Sequence, residues 1–504
     1  MFRFRAHLCL FALIASSALP FQASAQTVTA PDGTLAACVE NVVVTNGQLA
    51  CGAQAVVDDT ASGFGGSTAI GIGAFANGPQ STAIGDLTRA DFDAVALGAY
   101  TNVRGEGAVG IGKAAQGAGK YAVALGWQAE AQASQTIAIG DSAVAASNGS
   151  ISIGGQVGEA GPPGTYATAI GTGLNAPSAA QALGTFALAL GGGDGSGAGQ
   201  CGTACVGARA NGILSIAVGT GSGAIDFATA VGSGAQATGL SSAAFGNLAQ
   251  ASGDNSLALG LRASTFGPDT GLGATNGVAV GTAATATRDN AVAIGGSAHA
   301  TGLSAIAAGP AATASGVSAS AVGDSAMATA TNASAFGTAA FATGASSTAV
   351  GAASRAPGAL ATAVGTGAVA SAENSVALGA GSVADQPNTV SVGAPGAPRR
   401  ITNVAPGTAS SDAATFGQLA LLRSDMSDAV AASTALGGVL TPSEPGRTTF
   451  AAHSGFYGGS QAMGFNVAHR FDLGTDTPVM LDGGFASTMD GRNQVGRVGF
   501  AVEF

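Results

Sequence analysis

The chain has 504 residues, of which 82 are glycine; 46% are hydrophobic, only 9% charged and 5% aromatic, and the formal net charge is −11. Most of the hydrophobic share is Ala and Val, side chains too small to fill a conventional globular core, so composition argues against an ordinary enzyme. An acidic chain without basic clusters is also a poor nucleic-acid binder, and no nucleic-acid partner is expected.

Residues 1–25 read as a secretory leader: Arg3 and Arg5 precede the apolar run Leu8 to Ala15, and Ala23-Ser24-Ala25 offers a small-residue cleavage site. The run is too short to cross about 30 Å of hydrocarbon as a helix. An N-terminal segment, 26–66, carries Cys38 and Cys51, and a later Gly-rich insertion carries Cys201 and Cys205. An oxidising export route favours two small-loop disulfides, Cys38–Cys51 and Cys201–Cys205. A metal site at Cys201 and Cys205 would need further His or Cys ligands, and none lies nearby.

From 67 to 398 the chain repeats itself. Glycines fall at 281, 295, 309, 323, 337, 351, 365, 379 and 393, an unbroken period of 14, and shorter runs keep the same spacing upstream. Before each glycine stands an apolar residue, larger than Ala everywhere but at Ala308 (Val350, Val364, Leu378), and before that an alanine (Ala349, Ala363, Ala377), or Ser391 in the last unit. A second pair of alanine columns, with Ala298 and Ala300 as one example, marks a second strand in each unit, followed by a turn glycine such as Gly302. Two short strands and two turns per unit make one coil of a flattened β-solenoid. Interruptions at Gly155–Tyr166, Gly191–Ala210 and Leu261–Asn276 read as loops inserted between coils. With about 4.8 Å per stacked strand, the stack is on the order of 100 Å long. The coil interior admits Ala and little more, so the bulkier column is expected to point outwards, towards the axis of an oligomer.

Residues 399–418 leave the repeat. Ser411 or Asp412 is placed to cap a helix. Leu419, Leu422, Met426, Ala429, Ser433, Leu436 and Leu440 then alternate by three and four, a short coiled-coil seam within 419–446.

The last stretch, 447–504, alternates with period two. Met463, Phe465, Val467 and Phe471 share one parity, as do Val479, Leu481 and Phe485, and Val498, Phe500, Val502 and Phe504. Asn466, Arg470, Asp482, Arg497 and Glu503 take the other. This is the pattern of transmembrane β-strands, apolar to lipid and polar to a lumen. Four strands cannot close a barrel, and an open edge cannot exist in hydrocarbon, so copies of the chain must share one.

Several motifs carry a family resemblance. Ala435-Leu436-Gly437-Gly438 runs into Pro442, Gly455-Phe456-Tyr457-Gly458-Gly459 follows, and Val498 to Phe504 closes the chain. Asn374-Ser375-Val376-Ala377-Leu378-Gly379 and Asn255-Ser256-Leu257-Ala258-Leu259-Gly260 stand in the repeat array. Together these resemble the YadA-like trimeric autotransporter adhesins. The resemblance implies an all-β chain with a short coiled coil: a trimeric left-handed parallel β-roll head, a neck, a short coiled-coil stalk, and a 12-stranded transmembrane barrel with four strands from each of three chains. Arg399, Arg400, Ile401, Asn403 and Val404 look like the neck that gathers three rolls onto the stalk, although Pro406 and Phe416-Gly417 depart from the usual pattern. Gly455 aligns with a small pore-facing glycine in the translocation path.

The implied function is a bacterial surface adhesin that carries its own head through its barrel and attaches to host matrix, host cells or other bacteria. The alternative is a self-associating surface fibre for aggregation or biofilm. The implied partners are two further copies, the outer membrane with its barrel-assembly machinery, and a matrix or cell-surface ligand. The implied location is the outer membrane with the head on the cell surface. No cofactor, metal or catalytic set is expected. Gly105-x-Gly107-x-x-Gly110 mimics a dinucleotide fingerprint, and Gly107 to Lys113 a phosphate loop, but both lie in repeat register without a βαβ setting.

Overall fold

A computed structural model describes residues 48–52, 54–58, 66–155, 166–173, 179–193, 206–267, 271–438, 441–474 and 478–502, with the backbone of Val28–Thr29, Leu35–Ala36 and Cys38–Val39. The leader, Cys201, Cys205, Leu440 and Phe504 lie outside these residues. The chain divides into two units, 1–398 and 399–504.

The first unit is a β-solenoid. Each coil gives a three-residue strand to one long parallel sheet, and Val376–Leu378 pairs Ala377 with Ala363 of the coil before. The pairings run in single file from coil to coil, so the sheet is an open ladder. Its register survives the insertions: Ile151–Ile153 pairs with Thr168–Ile170, Leu188–Leu190 with Ile216–Val218, and Leu257–Leu259 with Val278–Val280. A second sheet, built from the shorter strands, forms stacks of seven, five and eight strands among the described residues, the last two linked through Ser264, which bridges Gln250 and Thr285. The insertions therefore leave from the second-sheet side. The stack also begins earlier than residue 67, because Leu49–Cys51 and Val56–Asp58 pair with Thr68–Ile70 and Phe75–Asn77.

The column chemistry explains the repeat. Coil interiors are filled by fully buried alanines, including Ala349, Ala363 and Ala377, with Ser or Thr at intervals. Each buried methyl contributes about 0.8 kcal/mol, so the stack is stabilised by number rather than by any one large side chain. Among the described residues Val103 is the largest fully buried side chain, and it fits because Gly110 and Gly117 face it; a Cβ at Gly117 would lie 3.1 Å from a Val103 methyl. The periodic glycines have a separate cause. Gly323 has φ +136°, and a Cβ there would stand 2.5 Å from the carbonyl oxygen of Gly337 in the next coil. Neither the left-handed conformation nor the close approach tolerates a side chain.

The six-residue motif now has a reason at each place. Asn374 takes a left-handed turn position, φ 53°, and its side chain donates to Asn388 at 2.9 Å. Ser375 is buried and donates to the Ala372 carbonyl at 2.7 Å. Val376 and Leu378 face out, Ala377 faces in, and Gly379 turns the chain. On the second sheet the outward column is mostly polar, with Arg89, Asn102, Gln116 and Glu130 in successive coils. The first sheet is apolar outside, while the second is polar over these coils but carries Met327, Phe341, Val369 and Val383 with Arg355 in the last ones. His299 sits on the second sheet, exposed, 2.6 Å from Thr285 Oγ1 through Nδ1. The glycines that mimic nucleotide motifs are turn and strand positions of the coils, and Gly110 is the middle residue of Val109–Ile111.

Ala363→Leu should overpack one coil and destabilise the head by roughly 1–3 kcal/mol. Gly110→Ala should destabilise it for the same reason, through its collision with Val103. Thermal unfolding of the intact chain followed by circular dichroism measures both; a lowered midpoint is expected for each, and none for Thr366→Ala on the exposed turn.

Candidate functional site: a helix seated in the anchor sheet

In the second unit one helix, Phe416–Ala435, precedes four antiparallel strands: Thr448–Tyr457, Ser460–Phe471, Val479–Thr488 and Gln494–Val502. The strands form a meander with register pairs Gly455↔Ala462, Phe465↔Phe485 and Leu481↔Phe500. The expected parity holds: Phe465, Phe485, Val498 and Phe500 are exposed on one face, whereas Ala462, Asn466, Asp482 and Ala486 are buried on the other. Among the described residues the outer edges of the first and fourth strands have no partner.

The helix starts later than the sequence suggested. Thr415, not Ser411 or Asp412, is its N-cap, in a capping box with Gln418, because the Thr415 side chain accepts from the Gln418 amide and Gln418 Oε1 accepts from the Thr415 amide at 3.0 Å. Asp412 instead closes the preceding turn. The Ala409 and Thr408 amides donate to it, each at 2.9 Å, and hold its carboxyl below the usual range. The helix ends at Ala435, so Leu436, assigned above to the seam, is its buried C-cap.

Two faces of this helix do different work. Leu419, Leu422 and Met426, the start of the seam, are more than half exposed. Ser427, Ala431, Ala432 and Ala435 are buried against the sheet. Backbone lies on backbone there. A Cβ on Gly455 would collide with the Ala431 carbonyl and stand 2.5 Å from the Ala435 amide nitrogen, and one on Gly464 would collide with the Ala435 carbonyl. A Cβ on Gly458 would stand 2.8 Å from Ser427 Oγ, a contact with a side chain rather than with the helix backbone.

The carbonyls just past the helix end, which lack intrahelical donors, are met by side chains from the strands. Asn466 donates to the Leu436 carbonyl and lies 3.1 Å from His453 Nδ1. Arg497 donates to the Gly437 carbonyl at 3.1 Å and the Gly438 carbonyl at 2.8 Å. Asp482 holds Arg497 at 3.2 Å, an ion pair whose angle is not that of an aligned hydrogen bond. The polar parity marked these residues as lumenal, but nothing in a strand pattern says that a lumenal Arg meets a helix end.

The remaining candidate residues are not gathered here. Arg399, Arg400, Ile401, Asn403 and Val404 are exposed and outside any strand, with Asn403 at φ 62°. Cys51 is disulfide-bonded, and the residue opposite it in antiparallel register is Cys38. Among the described residues no group of His, Cys, Asp and Glu could hold a metal ion.

Sequence families identify two parts of the chain. The YadA head domain repeat matches at 65–88, 104–129, 118–143, 226–248, 237–263, 273–298, 300–326, 328–354, 356–382 and 371–394. The coiled stalk of trimeric autotransporter adhesins matches 400–439. The chain belongs to the YadA-like trimeric autotransporter adhesins. Among solved structures, the crystal structure of the collagen-binding domain of the Yersinia adhesin YadA is 25% identical, over 47% of this chain and 97% of that one, with a TM-score of 0.16. No curated protein matches the sequence. The family implies a homotrimeric, non-enzymatic surface adhesin displayed at the outer membrane. The matched residues stop at 439, so the anchor is assigned on its own geometry.

Arg497→Ala should leave Asp482 buried without its cation and free the helix end, costing about 3–5 kcal/mol in the anchor. The expected result is loss of heat-resistant oligomer in gel electrophoresis at temperatures the parent survives. Arg497→Lys should recover part of it.

Proposed function

We propose that this adhesin builds a pore from three copies of its anchor, passes its own head through it, and then leaves the helix Phe416–Ala435 seated inside. Gly455 carries the reading: the sheet approaches the helix backbone so closely there that no side chain fits between them. The unpaired strand edges require closure by further copies in hydrocarbon. Asn466 Oδ1 and Arg470 Nε are buried without a hydrogen-bond partner in the single chain. Insertion would proceed through the outer-membrane barrel-assembly machinery, and Arg399 to Val404 would serve as the neck above the pore. The displayed head would then bind extracellular matrix or cell-surface ligands.

Gly455→Val should abolish surface display of the head, read by protease shaving and antibody labelling of intact cells. Ala452→Val, an exposed position on the same strand, should not. Wild-type display by the Gly455 variant would overturn the translocation reading. Purified adhesin tested on immobilised matrix proteins, alongside settling of expressing cells, separates attachment from self-association.

The apolar sheet of the head is proposed to face the trimer axis. Leu378→Asp would place three carboxylates in an apolar seam, and the head should separate while each roll stays folded. A Leu378→Asp head that remains trimeric in cross-linking would reverse the two faces.

A further inference from the structure

At the N-terminal end of the second sheet, Val56–Asp58, Phe75–Asn77, Arg89–Ala90 and Asn102–Val103 stack in parallel register. Val57, Ala76, Ala90 and Val103 pack into the coil interior. Side chains alternate along a strand, so the residues that follow them, Asp58, Asn77, Asp91 and Arg104, stand on the outer face in successive layers about 4.8 Å apart. With Phe92 and Glu106 from the adjoining turns they line a cleft of about 340 Å³, within the usual size range of small-molecule sites.

The cleft is held in shape by its own neighbours. Arg89 Nε donates to Asp91 Oδ1 at 2.9 Å, and Asn77 Nδ2 donates to the same oxygen at 3.2 Å. Arg104 Nε donates to Asn102 at 3.3 Å, and Glu106 pairs with Lys120 at 2.9 Å. Asn77 Oδ1 and the Arg104 Nη groups have no hydrogen bond among the described residues. Phe92 is 44% exposed, on a turn tied to the layers on both sides: the Asp93 amide donates to the Pro79 carbonyl and the Gly107 amide to the Phe92 carbonyl, each at 3.1 Å. A Cβ on Gly78 would stand 2.9 Å from Phe92 Cδ2, so the glycine lets the ring lie down over the layer before it.

We infer that this cleft binds a neutral saccharide. Its three carboxylates, Asp58, Asp91 and Glu106, are matched by the three cations Arg89, Arg104 and Lys120, so it offers no net charge to an ion. What it offers is a set of fixed, planar donors and acceptors beside an aromatic face. A sugar ring has the matching parts, hydroxyls that each donate and accept and polarised C–H groups that pack on the negative face of an aromatic ring. The cleft opens on the second sheet, away from the sheet proposed to face the trimer axis, so each of the three copies presents one site and a clustered glycan gains by multivalency. The inference rests on the reading of the head as the part that attaches, and it names the chemistry that the head attaches to.

The test uses the purified full-length trimer in a detergent without a sugar headgroup, followed by saturation-transfer NMR. Lactose, maltose and chitobiose are the neutral probes, digalacturonate the anionic one and tri-lysine the cationic one. At least one neutral disaccharide should bind, and more tightly than either charged probe. Phe92→Ala should weaken that binding about tenfold, Phe92→Trp should retain it, and Asn77→Ala should weaken it. Thr366→Ala, on a distant turn, should bind as the parent does. The inference is overturned if no neutral disaccharide binds, if digalacturonate or tri-lysine binds more tightly than all of them, or if Phe92→Ala leaves binding unchanged. Surface display is not needed for any of these measurements. Sugar binding by the purified protein, when expressing cells attach to nothing, would sustain the site and defeat the attachment reading.

Discussion

Close approach of backbone to backbone governs both halves of this protein. In the head it occurs between consecutive coils, where the carbonyl of one turn stands where the Cβ of the previous turn would be. In the anchor it occurs between the helix Phe416–Ala435 and the strands carrying Gly455 and Gly464. Both contacts exclude side chains, and both leave hydrogen bonding and many small buried methyls to supply the stability that a globular core draws from large residues. The unusual composition follows from this one requirement.

Small residues alone would give a sheet stack with no preferred neighbour. The asymmetry of the roll prevents that. Over the coils from 95 to 139, Val, Leu and Ile lie on one outward face, while Asn102, Gln116 and Glu130 lie on the other. The helix repeats the same division at smaller scale, with Leu419, Leu422 and Met426 away from the sheet and Ala431 and Ala435 towards it. Each element therefore has one surface fitted to its own chain and one apolar surface left for copies of it, consistent with a homotrimer.

Where a residue type is fixed by backbone geometry, the sequence was readable. The period-14 glycines, the interior alanines and the apolar parity of the four strands all appear in the structure at the expected positions. Where position depends on spacing that the repeat does not share, reading failed. Leu49-Ala50-Cys51-Gly52 has the right column order, but Gly52 lies 19 residues before Gly71, so the first coil fell outside the periodic frame. Ser411, Asp412 and Thr415 are all good capping residues, and only the capping box with Gln418 distinguishes Thr415. Asn466 and Arg497 show a further limit: alternation tells which face a side chain is on, and the helix end they hold comes from another part of the chain.

The hydrogen bonds that join coils run along the axis of the stack, and the covalent chain winds around it. A pull applied along the head is thus borne by successive layers in series, with the chain as stored length between them. One coil of 14 residues adds about 4.8 Å to the stack but holds about 45 Å of extended chain. Under load such a head gives way layer by layer from an end, each step lengthening the tether roughly tenfold over the layer it replaces, so that a sudden tug is converted into gradual extension rather than detachment.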